Sequence, residues 1–349
     1  MPVPFSSGEH VKHRSGLAGG AGALDIARVW EKSQGSRTRS AFHRLGRDRE
    51  RRRQVVEAVR AVLPELRPFI NFRSLDDIWM YFFDGALGYL SAFEDAHLRT
   101  ELDIAAGLLP PASLGDEAQS RYRQSLKDWA DSRVAFEQLC GHGPDTKYCA
   151  LGAAGHGIER FGAYSAILKP DLLASAPVFR GNAGRFARDR WDATDEAADE
   201  LWRAVTRRTA TTRQIKGVLA ENAAEWLRNN QHRESATTAI RSSLGSEYSP
   251  VEVYLHGTID IAALESVRVH PGKAEELEDA AKAWLADPMS GDAFAGTRRS
   301  SRKGQGKAII SEAKALARLA REGTNRIPGF RVEPAALHAI GLELFDVIG

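Results

Sequence analysis

The run Pro250-Val-Glu-Val-Tyr-Leu-His256 sets a carboxylate, a phenol and an imidazole at every second position of an otherwise apolar segment. In a β-strand, alternate side chains share a face. Val251, Val253 and Leu255 therefore fall on one side, and Glu252, Tyr254 and His256 on the other. A carboxylate in such company can stabilise positive charge developing on a reacting group, provided the face lines a cleft. Alternation alone allows either a cleft wall or a solvated surface. Pro250 opens the strand and Gly257 stops it.

Other reactive residue types form weaker patterns. Gly152-Ala-Ala-Gly155-His-Gly157 has the glycine spacing that lets backbone amides approach a phosphate, but a dinucleotide loop opens a helix and this one runs into another strand pattern. A turn between strands is the expectation. Cys140, His142, Cys149 and His156 are zinc-ligand types whose spacings match neither close cysteine pairs nor the usual histidine pair, so no metal is expected. Residues 297–307 carry Arg298, Arg299, Arg302, Lys303 and Lys307 without interleaved aromatics; a solvated loop is expected rather than a base-stacking surface.

The frame that positions these groups is bounded by composition. A chain of 349 residues with 43% hydrophobic residues can bury a full core. With 48 Lys+Arg against 46 Asp+Glu the net charge is +2, which gives no general attraction to nucleic acid or anionic membrane. Two cysteines are too few for a disulfide framework and suit a reducing, cytoplasmic compartment. No window approaches 18 uninterrupted apolar residues, so no membrane span is expected. The weakly apolar Gly16 to Ala27 is glycine-rich and holds Asp25, which argues against a cleaved signal peptide.

Along the chain, residues 1–54 combine Gly, Ser and Arg and read as a basic, mobile arm. A helix follows from Val55 and ends near Pro64 and Pro68. Strands are expected at Phe69–Phe72, Tyr148–Leu151, Ala163–Leu168 and Val251–Leu255. Long helices are expected over 117–140 and 194–230, with Trp129, Trp202 and Trp226 as packing residues, and again over Ala274–Leu285. The fold class is α+β. Its main domain spans 55–290 with a helical insert at about 190–232, a flexible basic loop covers 291–306, and a helical segment 307–349 closes the chain.

Several blocks occur in a recognisable order. They are Tyr148-Cys-Ala-Leu151, Arg160-Phe-Gly162 leading to Leu168-Lys-Pro170, Val178-Phe179, and Val251-Glu-Val-Tyr-Leu-His-Gly257 with Ile259 to Val269. Upstream stand Asn71-Phe72, Gly85 to Tyr89 and Ser91-Ala-Phe-Glu94. Together, over roughly residues 69–270, they resemble a bacterial domain family of unknown function related to ADP-ribosyltransferase-like toxins. That family reads Lys-Tyr-Gly-Ala-Leu, Arg-Phe-Gly, Leu-Lys-Pro, Thr-Phe with Gly-Asp-Ser, and Val-Glu-Ala-Gln-Val-His-Gly. Here Arg180-Gly-Asn-Ala183 replaces Gly-Asp-Ser, and Tyr254 replaces Gln.

The resemblance implies a split β-sheet core and a mono-ADP-ribosyltransferase of toxin or effector type, with NAD as substrate and a macromolecular acceptor. NAD glycohydrolysis and a catalytically degenerate binding module are the alternatives. It implies Glu252 as the carboxylate that stabilises an oxocarbenium-like state. It implies an arginine on the first strand for the NAD phosphates, Arg73 first and Arg67 second. A hydroxyl would support the glutamate, with Ser91 as first candidate and Tyr164 and Ser165 as alternates. Tyr254 and His256 would shape the pocket, and Tyr248 would contact the acceptor. A cognate immunity or antitoxin partner and delivery into another cell belong to the same expectation.

Overall fold

The computed structural model describes residues 37–348 except 85–87, 128–129, 141, 143–144, 154–157, 175, 192–204, 206–207, 211–213, 230–234, 247–249 and 287–302. In chain order the first elements are α1 (Arg37–Arg44), α2 (Arg49–Val62), β1 (Leu66–Phe72), α3 (Leu75–Trp79), α4 (Ala92–Ala105), α5 (Leu114–Leu126) and α6 (Ala130–Cys140). Then come β2 (Lys147–Ala153), β3 (Tyr164–Leu168), β4 (Val178–Arg180), α7 (Ala183–Trp191), β5 (Thr209–Ala210), α8 (Ile215–Asn229) and α9 (Ala236–Gly245). The remainder is β6 (Val251–Leu255), β7 (Leu264–Val269), α10 (Pro271–Ala286), α11 (Lys303–Arg326), β8 (Arg331–Glu333) and α12 (Ala335–Ile348). The α+β class holds. Among the described residues no helix is long and apolar enough to cross a membrane.

The chain divides into two compact units that interleave in sequence. The first unit takes residues up to Leu66, Leu90–Ala153 and Asp171–Gly257. Its strands run in the order β5-β4-β6-β2, all antiparallel, with Phe179 opposite Glu252, Ala150 opposite Glu252 and Tyr148 opposite Tyr254. The aliphatic face, with Val251, Val253, Leu151 and Val178 fully buried, carries no charge along β6. Helix α8 packs against α1, α2 and α9, and α9 also meets α2 and β2.

The second unit takes Arg67–Tyr89, Ala154–Pro170 and Thr258–Gly349. Its strands β1, β3 and β7 are antiparallel neighbours, and β8 adds to β7 in parallel. Gly162 sits at the entry to β3 with φ +154°, where a Cβ would lie 2.0 Å from the Phe72 carbonyl oxygen. Only glycine allows that approach of backbone to β1, which is the physical reason for a glycine at position 162. The C-terminal helices α11 and α12, expected as a separate segment, pack with α10 inside this unit.

Several expectations are corrected. Residues 37–54 are not an arm: α2 starts at Arg49, capped by the Asp48 carboxylate accepting from the Arg51 N–H, and α1 packs on α8 through the buried Ala41. Arginine is a good helix former, so the basic run extends the helix of Val55 toward the N-terminus. The helix expected over 117–140 is two, because the chain turns at Lys127 with φ 51°. The one expected over 194–230 is interrupted by β5, where Thr209 and Ala210 pair with β4; β-branched residues favour that geometry. The basic loop ends earlier than expected, since α11 starts at Lys303. Residues 1–36, most of the basic loop, Gly85, Trp129, Trp202, His156 and Tyr248 lie outside the described residues.

Candidate active site

Glu252 sits on β6, the inner strand between β4 and β2, and its neighbours across the ladder are Phe179 and Ala150. The expected shared face is real: the Tyr254 hydroxyl donates to Glu252 Oε2 at 3.3 Å. That face is neither open cleft nor bare surface. Tyr254 is completely buried in a cluster with Phe136 and Cys140 of α6, Phe179 of β4 and Ala183, Phe186 and Ala187 of α7. Glu252 itself is partly buried.

The Arg180-Gly-Asn-Ala183 loop explains where the carboxylate points. Gly181 has φ +116°, which turns the chain from β4 into α7. Asn182 Oδ1 accepts the Arg185 N–H at 2.7 Å, and the Ala183 N–H, first of the helix, donates to Glu252 Oε1 at 3.1 Å. A carboxylate at a helix N-terminus satisfies an otherwise orphan donor. Burial nevertheless raises the Glu252 pKa, with Arg133 and the two donated hydrogen bonds opposing it.

Arg133 comes from α6. Its guanidinium lies 3.2 Å above the centre of the Tyr148 ring, and its Nε donates to Glu137 Oε1 at 3.0 Å. Burial works against the charge, but Tyr148, Glu252 and Glu137 outweigh it and keep Arg133 firmly protonated. Glu137 also accepts from the Tyr148 hydroxyl at 3.0 Å and the Tyr122 hydroxyl at 2.7 Å. His142 packs edge-on against Tyr254 at 4.5 Å between ring centres, and burial, then Arg133 and His256, hold its pKa down to about 3. The imidazole is neutral at physiological pH.

The other expected site residues divide between the units. Ser91 is in the first unit, but its hydroxyl accepts the Glu94 N–H at 3.1 Å while the Glu94 carboxylate accepts the Ser91 N–H at 2.6 Å. This capping box starts α4. His256 is exposed, 3.4 Å from Thr146 Oγ1 and 3.9 Å from Asp145. Arg73 belongs to the second unit and is exposed after β1. Arg67 pairs with Glu265 at 2.6 Å. Tyr164 and Ser165 are buried in β3 of the second unit, Tyr164 beside Glu312 and Ser165 donating to Asn71 Oδ1 at 3.2 Å.

Sequence reasoning missed Arg133, Glu137, Tyr148 and Tyr122. One signal was present: Arg133 and Glu137 stand four apart and lie beside Phe136 and Cys140 on the helix surface, so two charges border one edge of its apolar stripe. Cys140 and Cys149 are buried free thiols, and among the described residues no His, Cys, Asp and Glu cluster is arranged to hold a metal.

No protein-family model matches the chain, and no curated protein matches it.

Proposed function

We propose that the first unit cleaves NAD at the nicotinamide–ribose bond and passes ADP-ribose to a macromolecular acceptor, with Glu252 as the carboxylate. One observation carries this reading: a partly buried carboxylate on an inner strand is held in place by the Ala183 N–H and the Tyr254 hydroxyl, among aromatic rings and within the field of a buried guanidinium. As the C1′–N bond breaks, nicotinamide leaves with the bonding electrons as a neutral base. The ribose gains oxocarbenium character, and a fixed carboxylate stabilises that charge without reorganising. A nucleophile on the acceptor then bonds to C1′ and loses its proton. With water in that role the product is free ADP-ribose. The split-sheet architecture of the ADP-ribosyltransferases and the toxin or effector role, with an immunity partner, belong to this proposal.

A second reading has its own observation. Glu252 Oε1 is engaged at the N-terminus of α7, and Tyr254, where the related family has Gln, is fully buried. Both features suit a binding module in which the glutamate only fastens strand to helix. The full chain incubated with NAD labelled in the adenylate moiety and a cell lysate separates the possibilities. Label on a macromolecule supports transfer, free ADP-ribose alone supports hydrolysis, and uncleaved NAD leaves the binding module. Loss of cleavage in Glu252→Gln, with folding retained, assigns the chemistry to this carboxylate.

A further inference from the structure

In the first unit a cavity of about 230 Å³ is lined by α4, α5, α6 and the segment entering β2. Phe93, Tyr122 and Leu126 give it an apolar wall, and Arg133, Glu137 and His142 give it polar groups; Glu252 does not line it. The ring centres of Phe93 and Tyr122 are 5.6 Å apart, edge to face. Arg133 and Glu137 are charged yet only 14% and 19% exposed. A pair so buried adds little to stability, because desolvation offsets its attraction, so its place on a cavity wall points to recognition.

Counting donors and acceptors says what it would recognise. Tyr148 has one hydroxyl proton, and its oxygen lies 3.0 Å from Glu137 Oε1 and 2.9 Å from His142 Nδ1. The proton goes to the carboxylate, so His142 carries its own on Nδ1 and donates it to the phenol oxygen. His142 Nε2 is then a bare acceptor, and it is buried with no partner. Glu137 has about four acceptor sites, and Tyr122, Tyr148 and Arg133 fill three. His142 Nε2 is enclosed, so what remains open to the cavity on Glu137 accepts a hydrogen bond. The opposite charges of Arg133 and Glu137 cancel at the wall, so an ion of either sign meets one like charge.

We propose that this cavity binds a small, uncharged aromatic ring bearing an N–H donor, its ring against Phe93 and Tyr122 and its N–H on Glu137. The site is separate from the carboxylate assigned to NAD cleavage and stands whether or not that assignment does. Arg133 joins the two, since its guanidinium donates to Glu137 and its charge acts at longer range on Glu252.

The test uses the full chain with ring-labelled tyrosine and four monosubstituted benzenes: aniline, its equal-sized apolar match toluene, and the charged benzoate and benzylammonium. Aniline is expected to shift the Tyr122 and Tyr148 signals and to bind about tenfold more tightly than the other three, the effect of one hydrogen bond made without a charge penalty. Gln119 lines the cavity from a half-exposed position on α5, so Gln119→Trp fills the space without replacing any member of the Glu137 network. Aniline binding is expected to disappear in that variant while circular dichroism is unchanged. Equal or tighter binding of benzoate, benzylammonium or toluene overturns the proposal. So do aniline binding that survives Gln119→Trp and the absence of any shift with all four probes.

Discussion

The Tyr254 hydroxyl donates to the Glu252 carboxylate from two residues along the same strand, at 3.3 Å, and Tyr254 has no solvent exposure. A phenol in that position stabilises the ionised carboxylate against the burial that raises its pKa. If Glu252 acts in NAD cleavage as a carboxylate, activity should rise with pH through that elevated pKa, so the acidic limb of the kcat/KM profile lies above the ordinary range for glutamate. Tyr254→Phe removes the donor and should move the limb upward by about one pH unit, the equivalent of one hydrogen bond. An unmoved limb separates Tyr254 from the chemistry. Glu252→Gln should lower kcat by about a hundredfold to a thousandfold, as the loss of one transition-state electrostatic contact does.

Arg133 compensates Glu137 directly and Glu252 at longer range. Replacing it by Met keeps much of the stem over Tyr148 and leaves two partly buried carboxylates without their cation. Urea unfolding should show a loss of about 3–5 kcal/mol, the cost of orphaning a buried charge. Glu137→Gln in the same chain should recover part of that loss. Full additivity of the two substitutions would mean that the residues do not interact.

His142 gives a pH dependence of stability with a defined sign. Its folded pKa is lowered from 6.5 to about 3, so between these values the unfolded chain binds a proton that the folded chain refuses. Stability from this group is full above pH 6.5 and is lost as pH falls toward 3, at about 1.4 kcal/mol per pH unit inside the window. Between pH 7 and pH 5 the wild type should lose stability faster than His142→Gln. Parallel curves for the two proteins would show that the imidazole stays accessible to protons.

Strand β6 and its alternation were legible because a short apolar run between Pro250 and Gly257 leaves little choice of register. What covers its polar face was not legible. Arg133 and Tyr148 are 15 positions apart, and Glu252 is more than a hundred further on; only the strand pairing of Tyr148 with Tyr254 and the packing of α6 against α7 bring them together. The local role of Ser91 as a helix cap, by contrast, is written in Ser91-Ala-Phe-Glu94. The interleaving of the two units was likewise hidden, because each takes pieces from three parts of the chain.

Gly162 tests how strictly the second unit is built. A methyl there would stand 2.0 Å from the Phe72 carbonyl oxygen and 2.4 Å from its carbon, both backbone atoms that no rotamer change can move aside. The φ of +154° adds a conformation that alanine adopts poorly. Gly162→Ala should therefore destabilise by at least about 3 kcal/mol, through steric conflict and backbone strain together. Gly107→Ala is the matched control: its φ of +74° is also positive, but a Cβ there meets nothing within 4 Å. That variant should lose only about 1–2 kcal/mol from strain. Hydrogen exchange should report the Gly162→Ala loss in β1 and β3, the strands that Phe72 and Tyr164 join, and equal losses for the two variants would remove the backbone approach as the cause.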